Sequence, residues 1–183
     1  MWTTTESGEV MAKEAETGWG TAGPPLVEVT RAFRFSAAHR MHTARFSPAE
    51  NVRIYGRCNN PNGHGHTYRL EVTIRGRISA ETGQVEGGEA LDGVVRAQVI
   101  DRLDRMNLDH LIAPTDGPTS TTEVLAALIW RVLDGALVAS RLCHLRLEET
   151  PSNFFELDRD DLDRSARPVI LTPADRGQKV SPA

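Results

Sequence analysis

The stretch "HTYRLEVTIRGRI" (residues 66–78) decides the fold class, because its side chains alternate between apolar and polar. Its apolar face carries Tyr68, Leu70, Val72 and Ile74. Alternation with a period of two is typical of a strand that is buried on one side only. An earlier stretch, "VEVTRAFRFSAAH" (residues 27–39), alternates in the same way. The two stretches therefore predict a pair of half-buried strands, and we expect them to form an antiparallel hairpin.

The rest of the chain adds two helices and two further strands. Apolar residues recur at helical spacing in "EALDGVVRAQVIDRLDRMNL" (89–108) and in "STTEVLAALIWRVLDG" (120–135). Ser120 precedes Glu123 by three residues, which predicts a capping box at the start of the second helix. "SRLCHLRLEET" (140–150) and "SNFFEL" (152–157) predict the last two strands. The order β-β-α-α-β-β predicts an α+β fold with an antiparallel sheet and the helices on one face.

Length and composition predict one domain without a membrane or nucleic-acid partner. The chain has 183 residues and a net charge of −4, which gives no general attraction to nucleic acid or anionic lipid. No secretory signal or membrane-spanning run is present, and two cysteines do not form a disulfide framework, so we expect a cytoplasmic protein. We divide it into a flexible N-terminal tail (1–25), a folded domain (26–158) and a polar C-terminal tail (159–183).

Three histidines are placed to meet at one end of the two first strands. His64 and His66 are two positions apart, so the period of a strand sends both imidazoles to one face. His39 ends the first strand, and antiparallel pairing would bring it beside them. Three imidazoles with a fourth position left open are typical of catalytic zinc. The alternatives are ordinary surface histidines or a Cys/His finger, for which a second ligand pair at finger spacing is absent from the sequence.

Three motifs carry a resemblance to a known family. "FSAAHR" (35–40), "YGRCNNPNGHGHTYRLEVTIRG" (55–76) and "STTEVLA" (120–126) resemble the 6-pyruvoyltetrahydropterin synthase family, which includes the 6-carboxytetrahydropterin synthases. The resemblance covers about residues 27–157. It implies the tunnelling fold, in which β-β-α-α-β-β subunits join their sheets into an oligomeric barrel, commonly a homohexamer of two trimers with active sites at subunit interfaces.

The resemblance also implies a lyase that acts on 7,8-dihydroneopterin triphosphate. Its cofactor would be Zn²⁺, and its product 6-pyruvoyltetrahydropterin, for tetrahydrobiopterin biosynthesis, or 6-carboxytetrahydropterin, for queuosine biosynthesis. The residues that the resemblance implies are the zinc ligands His39, His64 and His66, the catalytic thiol Cys58, and the substrate-binding residues Glu149, Thr121, Thr122 and Glu123. A thiol can serve as a base when a nearby cation lowers its pKa. No redox cofactor is expected.

The proton relay of the family, an Asp-His pair in "LDHKNL", has two possible counterparts. An ungapped register places "RLDRMNL" (102–108) on it, so that Asp104 matches the Asp and Arg105 replaces the His. The literal pair Asp109-His110 requires a five-residue insertion instead. We favour His110, because histidine exchanges protons near neutral pH and arginine does not.

Two rival hypotheses remain open at this stage. Arg105, together with the divergent segment "QVEGGEALDG" (84–93) that could reshape the pocket wall, favours a zinc protein that binds a pterin or purine derivative with weak or altered catalysis. A structural zinc module would need a closed coordination shell. The groups that hold the triphosphate are also open, with Arg40, Arg53 and Arg57 near the motif.

Overall fold

A single sheet with helices on one face forms the domain. The computed structural model describes Trp19 and residues 23–112, 118–137 and 141–159. The two predicted tails fall almost wholly outside these residues. No described helix is long and apolar enough to cross a membrane.

The four long elements of the sheet match the four predicted strands. The strands are β1 (Leu26–His39), β2 (His64–Arg77), β3 (Met106–Asn107), β4 (Arg141–Thr150) and β5 (Asn153–Asp158). Their order across the sheet is β3-β1-β2-β4-β5, and every neighbouring pair is antiparallel except the two-residue β3, which runs parallel to β1. The predicted antiparallel α+β fold is confirmed, with β3 as a short parallel addition.

One helix lies between β1 and β2 in the chain, and the others lie between β2 and β4. They are α1 (Pro48–Tyr55), α2 (Gly88–Val95), α3 (Asp101–Leu103), α4 (Leu108–Ile112) and α5 (Thr122–Ala136), with a π-helical segment (Arg96–Ile100) joining α2 to α3. The apolar residues of α2, the π-helical segment, α3 and α5 pack against one face of the sheet. Their most buried members are Leu91, Val95, Val99, Leu103, Leu125, Ile129 and Leu133. All four apolar residues predicted for β2 are completely buried in the same core.

A β-bulge in β4 overturns part of the predicted alternation. The sequence pattern places Leu142 on the face opposite Leu145, yet both side chains are completely buried. The pairing shifts between Thr73 and Ile74 of β2, so that Cys143 is an extra residue in β4. Cys143 is half-buried, and its thiol donates to the carbonyl of Thr73 at 3.4 Å.

The long connection between β1 and β2 contains a helix that periodicity does not predict. Ser47 and Glu50 form a reciprocal capping box at the start of α1. Asn51, completely buried, holds the preceding loop through three bonds from its amide nitrogen. A 3₁₀ turn (Gly56–Asn59) follows α1 and carries Cys58 toward the start of β2.

Candidate active site

The pairing of β1 with β2 brings His39, His64 and His66 together. His39 is the partner of His64 in the antiparallel register, and Ala37 is the partner of His66. The ring centroids lie 4.6 Å apart for His39 and His64, 4.8 Å for His64 and His66, and 5.4 Å for His39 and His66. One nitrogen from each ring lies within 4.8 Å of the others, so the three form a group that could hold a metal ion.

The nitrogens of this cluster are suited to a cation. Four ring nitrogens are buried and have no hydrogen-bond partner among the described residues: His39 Nε2, both nitrogens of His64, and His66 Nε2. Buried polar atoms are nearly always hydrogen-bonded, so unpartnered ring nitrogens from three residues that lie within 4.8 Å of one another need another explanation. Burial lowers the pKa of His64 and of His66 and keeps the rings in the neutral form that binds metals. The residues present therefore fit a divalent metal ion.

A backbone carbonyl orients the deepest of the three rings. His39 Nδ1 donates to the carbonyl oxygen of Ser120 at 2.6 Å. This bond selects the tautomer in which Nε2 carries the lone pair that faces the other two rings. The predicted capping role of Ser120 is wrong, since Thr121 is the N-cap of α5 and accepts from the backbone N–H of Val124.

Glu149 places a carboxylate beside the three histidines. Its Oε1 accepts from the Thr122 hydroxyl at 2.8 Å and lies 3.6 Å from His39 Nε2 and 3.5 Å from His66 Nε2. Its Oε2 accepts from the side-chain amide of Asn153 at 2.8 Å. Sequence reasoning missed Asn153, because only the pairing of β4 with β5 shows that it faces this carboxylate.

The Cys58 thiol is half-buried near the same carboxylate. The carbonyl oxygen of Cys58 accepts from the N–H of Met41 at 2.9 Å, which ties its turn to the segment that follows His39. Burial raises the pKa of Cys58, and the charge of Glu149 raises it further. The groups of this chain alone therefore favour the neutral thiol.

The remaining substrate-binding predictions fall at the start of α5. Thr122 is buried and bonds to Glu149, as described above. Thr121 uses its hydroxyl to cap the helix, and Glu123 is exposed in the first turn. Thr122 is thus the member of this group whose side chain bonds to Glu149.

The two possible relay pairs occupy different surroundings. Asp104 accepts from the backbone N–H of Ser36 at 2.8 Å, and Arg105 beside it has an 89% exposed side chain and a positive φ of 61°. Asp109 accepts from the backbone N–H of Arg40 through both oxygens, at 3.1 and 3.0 Å. His110 is exposed on α4, and within the described residues no hydrogen bond or ion pair joins it to the three histidines or to Cys58.

The divergent segment 84–93 lies far from the three histidines. The segment 84–93 bridges Ile78 through Val85 and bonds to the carbonyl of Arg77, so it lies at the end of β2 opposite to His64. β2 has 14 residues, and a strand of that length spans roughly 40 Å.

The three arginines near the motif differ in their contacts. Arg40 bonds to Asn59, to which its Nε and Nη2 donate at 3.3 Å. Arg53 and Arg57 are exposed.

Comparison with known proteins identifies the family of this chain. The profile of the family described as 6-pyruvoyl tetrahydropterin synthase matches residues 28–160. The chain belongs to this family. It is therefore an enzyme of this lyase family, as the motifs predict, and its subunit has the family's tunnelling fold.

Relatives and solved structures agree with this assignment. The 6-pyruvoyl tetrahydrobiopterin synthase of Poecilia reticulata is 43% identical over 137 residues, which cover 73% of this chain and 93% of that protein. The human synthase of the same name is 37% identical over 126 residues, covering 69% of this chain and 87% of the relative. The structure of the Caenorhabditis elegans 6-pyruvoyl tetrahydropterin synthase matches with a TM-score of 0.66 and 34% identity, covering 74% and 96% of the two chains.

Proposed function

We propose that the protein is a zinc-dependent lyase that converts 7,8-dihydroneopterin triphosphate to 6-pyruvoyltetrahydropterin and releases triphosphate. The observation that carries the proposal is the cluster of one buried and two partly buried imidazoles whose unpartnered nitrogens lie beside the carboxylate of Glu149. The names of relatives that are 36 to 43% identical favour the pyruvoyl product over the 6-carboxy product.

The three histidines would hold the zinc ion. Nitrogen ligands from His39, His64 and His66 suit Zn²⁺, and three protein ligands leave a position for substrate. Bound zinc would supply a Lewis acid for the hydroxyl groups of the substrate side chain. The bond from His39 to Ser120 keeps one ligand in the required tautomer before any ion or substrate arrives.

In this proposal Glu149 binds the pterin ring. A carboxylate accepts paired N–H donors from a planar amidine-like edge, much as it accepts those of a guanidinium. Thr122 and Asn153 each donate to one oxygen of Glu149, and this fixes the plane of the carboxylate. The ring would therefore meet an acceptor that is already oriented.

Removal of the Glu149 charge tests this role. We expect Glu149→Gln to raise KM for the substrate about 10–100-fold, because a hydrogen bond to a charged group contributes ~1.5–3 kcal/mol. Zinc content should stay near the wild-type value, since the three histidines are intact. Steady-state kinetics with metal analysis of the same preparation gives both quantities. An unchanged KM would remove Glu149 from substrate binding.

The proton transfers fall to side chains of this chain. Cys58 takes a proton from a carbon of the substrate's own side chain. Triphosphate then leaves the substrate by elimination, and further proton shifts within the substrate give the tetrahydropterin. These steps are internal, so the reaction needs no external oxidant or reductant. In this proposal His110 exchanges the proton with solvent. The acid of the relay is Asp109, which precedes His110, or Asp104 in the ungapped register; both carboxylates accept a backbone N–H from β1 or the residue after it.

Separate substitutions decide between the two relay positions. We expect His110→Ala to lower kcat by about 10²-fold or more, the usual size of an acid–base contribution. Arg105→Ala should leave kcat within about threefold, since arginine does not release its proton near neutral pH. Single-turnover measurements with the two variants compare the rates directly. Wild-type turnover by His110→Ala would exclude His110 as the relay.

The function itself is tested by product analysis. Purified protein is incubated with 7,8-dihydroneopterin triphosphate, with and without a chelator, and the products are identified by mass. Formation of 6-pyruvoyltetrahydropterin with an equal amount of triphosphate, lost on chelation, is the expected result. Formation of 6-carboxytetrahydropterin would change the product assignment and keep the lyase.

A second candidate function rests on Arg105. In the ungapped register an arginine stands where the family motif has its histidine, which favours a zinc protein that binds pterins with weak catalysis. Tight zinc binding and recovery of unchanged substrate would support this function over the lyase.

Assembly and location complete the proposal. We place the enzyme in the cytoplasm as a homohexamer of two trimers, the assembly implied by the motif resemblance. Native mass spectrometry of the purified protein tests the subunit number.

A further inference from the structure

We propose that Asp109 is a positioning residue for the metal ligand His39, acting through Ser120 and through the backbone of Arg40. The proposal rests on the proposed metal centre and assigns a role to a carboxylate that does not contact the metal-binding nitrogens. This supporting role acts by orientation of His39 and is separate from the part that Asp109 takes in the proposed proton relay.

One carboxylate binds both segments that fix His39. Its two oxygens accept the N–H of Arg40, the residue that directly follows His39, at 3.1 and 3.0 Å. Its Oδ1 also accepts from the hydroxyl of Ser120. The carbonyl oxygen of the same serine accepts the Nδ1 proton of His39. Asp109 therefore connects the backbone that carries the imidazole with the carbonyl that orients it.

These contacts form a closed ring in a buried place. From Asp109 the ring passes to Arg40, through the chain to His39, from the imidazole to Ser120, and back to the carboxylate. His39 and Ser120 are each 1% exposed. A shift of either segment would have to break at least one of these bonds, and water has little access to replace it.

The position of Asp109 is itself fixed. The backbone N–H of Asp109 donates to the side chain of Asn107 at 2.9 Å, at the point where β3 passes into α4. Asn107 also pairs with Ala38 of β1, the residue that precedes His39. The start of α4 is thus attached to the end of β1 from two sides, which makes the carboxylate a rigid support.

Loss of this support should weaken metal binding without removing a ligand. Groups that hold a ligating histidine typically change metal affinity by about 10–100-fold when substituted. We expect Asp109→Ala and Ser120→Ala to raise the Kd for Co²⁺ by that factor. The visible absorption of bound Co²⁺ should also change, because it depends on the arrangement of the ligands. The double variant should bind Co²⁺ as tightly as Asp109→Ala alone, since Ser120→Ala removes a bond to Asp109 that Asp109→Ala already breaks.

Asp104→Ala is the matched control. Asp104 also accepts a backbone N–H of β1, that of Ser36 at 2.8 Å, but the described contacts do not join it to Ser120 or His39. A general loosening of β1 would weaken Co²⁺ binding equally in Asp104→Ala and Asp109→Ala. Positioning of His39 predicts that Asp104→Ala binds within about threefold of wild type.

The experiment is a Co²⁺ titration of the metal-free full-length proteins against a competing chelator, with circular dichroism to confirm folding. Wild-type affinity and spectrum in both Asp109→Ala and Ser120→Ala, or equal weakening in Asp104→Ala, would overturn the inference and leave the metal centre standing. Failure of wild type to bind Co²⁺ or Zn²⁺ would overturn the metal centre and the inference with it. If Asp109→Ala does not fold, Ser120→Ala, which loses a single hydroxyl, decides the question.

Discussion

Cys58→Ala is expected to lower kcat by about 10²–10⁴-fold, the range that a general base contributes. The thiol lies at the end of the 3₁₀ turn near Glu149, where a base could reach a substrate held by that carboxylate. Zinc content and KM should stay near wild type, because neither the histidines nor Glu149 is altered. Loss of kcat with KM unchanged is the sign of an interaction made in the transition state.

Cys143 supplies the control for the thiol. It is the other cysteine of the chain, and it lies in the bulge of β4, where its thiol contacts Thr73. Cys143→Ser keeps a donor for that carbonyl and should leave kcat unchanged. If Cys58→Ala turns over at the wild-type rate, another group must serve as the base.

His64→Ala is expected to abolish turnover through loss of the metal. Two imidazoles would remain, and the ion would lose a ligand whose ring nitrogens, in the described contacts, bind nothing else. We expect kcat/KM to fall at least about 10³-fold, since a bound metal contributes several kcal/mol to catalysis. Metal analysis after brief exposure to a chelator should find zinc in wild type and little in the variant.

His144 provides a matched histidine outside the site. It lies on β4, where Nδ1 is 2.9 Å from an oxygen of Asp158 and Nε2 is 3.9 Å from one of Glu156. His144→Ala should keep its zinc and its activity. Retention of both zinc and turnover by His64→Ala would remove His64 from the metal site.

The strands and the histidine cluster could be predicted because they follow from local periodicity. Alternation in β1 and β2 sets which side chains face the core, and antiparallel pairing of consecutive strands then places His39 beside His64. The alternation follows from the order of residues within each strand, and the pairing follows from the order of the two strands in the chain. The family resemblance implies a substrate-binding role for Glu149, but neither it nor the pattern predicts the contact of Glu149 with this cluster.

The supports of the site could not be predicted, because they join residues far apart in the chain. Ser120 looked like a helix cap, and its bonds to His39 and Asp109 depend on how α5 and α4 are placed against the end of β1. The bonds of Asp109 to Arg40 and Ser120 depend on the same placement. Asn153 meets Glu149 only because of the register between β5 and β4.

Local irregularities also escaped the pattern. The bulge at Cys143 reverses the alternation of β4 within one residue, and periodicity carries no signal for a single inserted position. Helix α1 leaves Val52 and Ile54 exposed, so it lacks the apolar stripe by which a helix is predicted. Its capping box, Ser47 with Glu50, was the signal that could have revealed it.

X-ray absorption spectroscopy at the zinc edge of the purified protein tests the central claim most directly. The claim is that His39, His64 and His66 hold one ion and leave a position free. It predicts one zinc per chain with three nitrogen ligands at ~2.0–2.1 Å and a light-atom ligand completing the shell. A protein that takes up no zinc, or a sulfur ligand at ~2.3 Å that closes the shell, would contradict it.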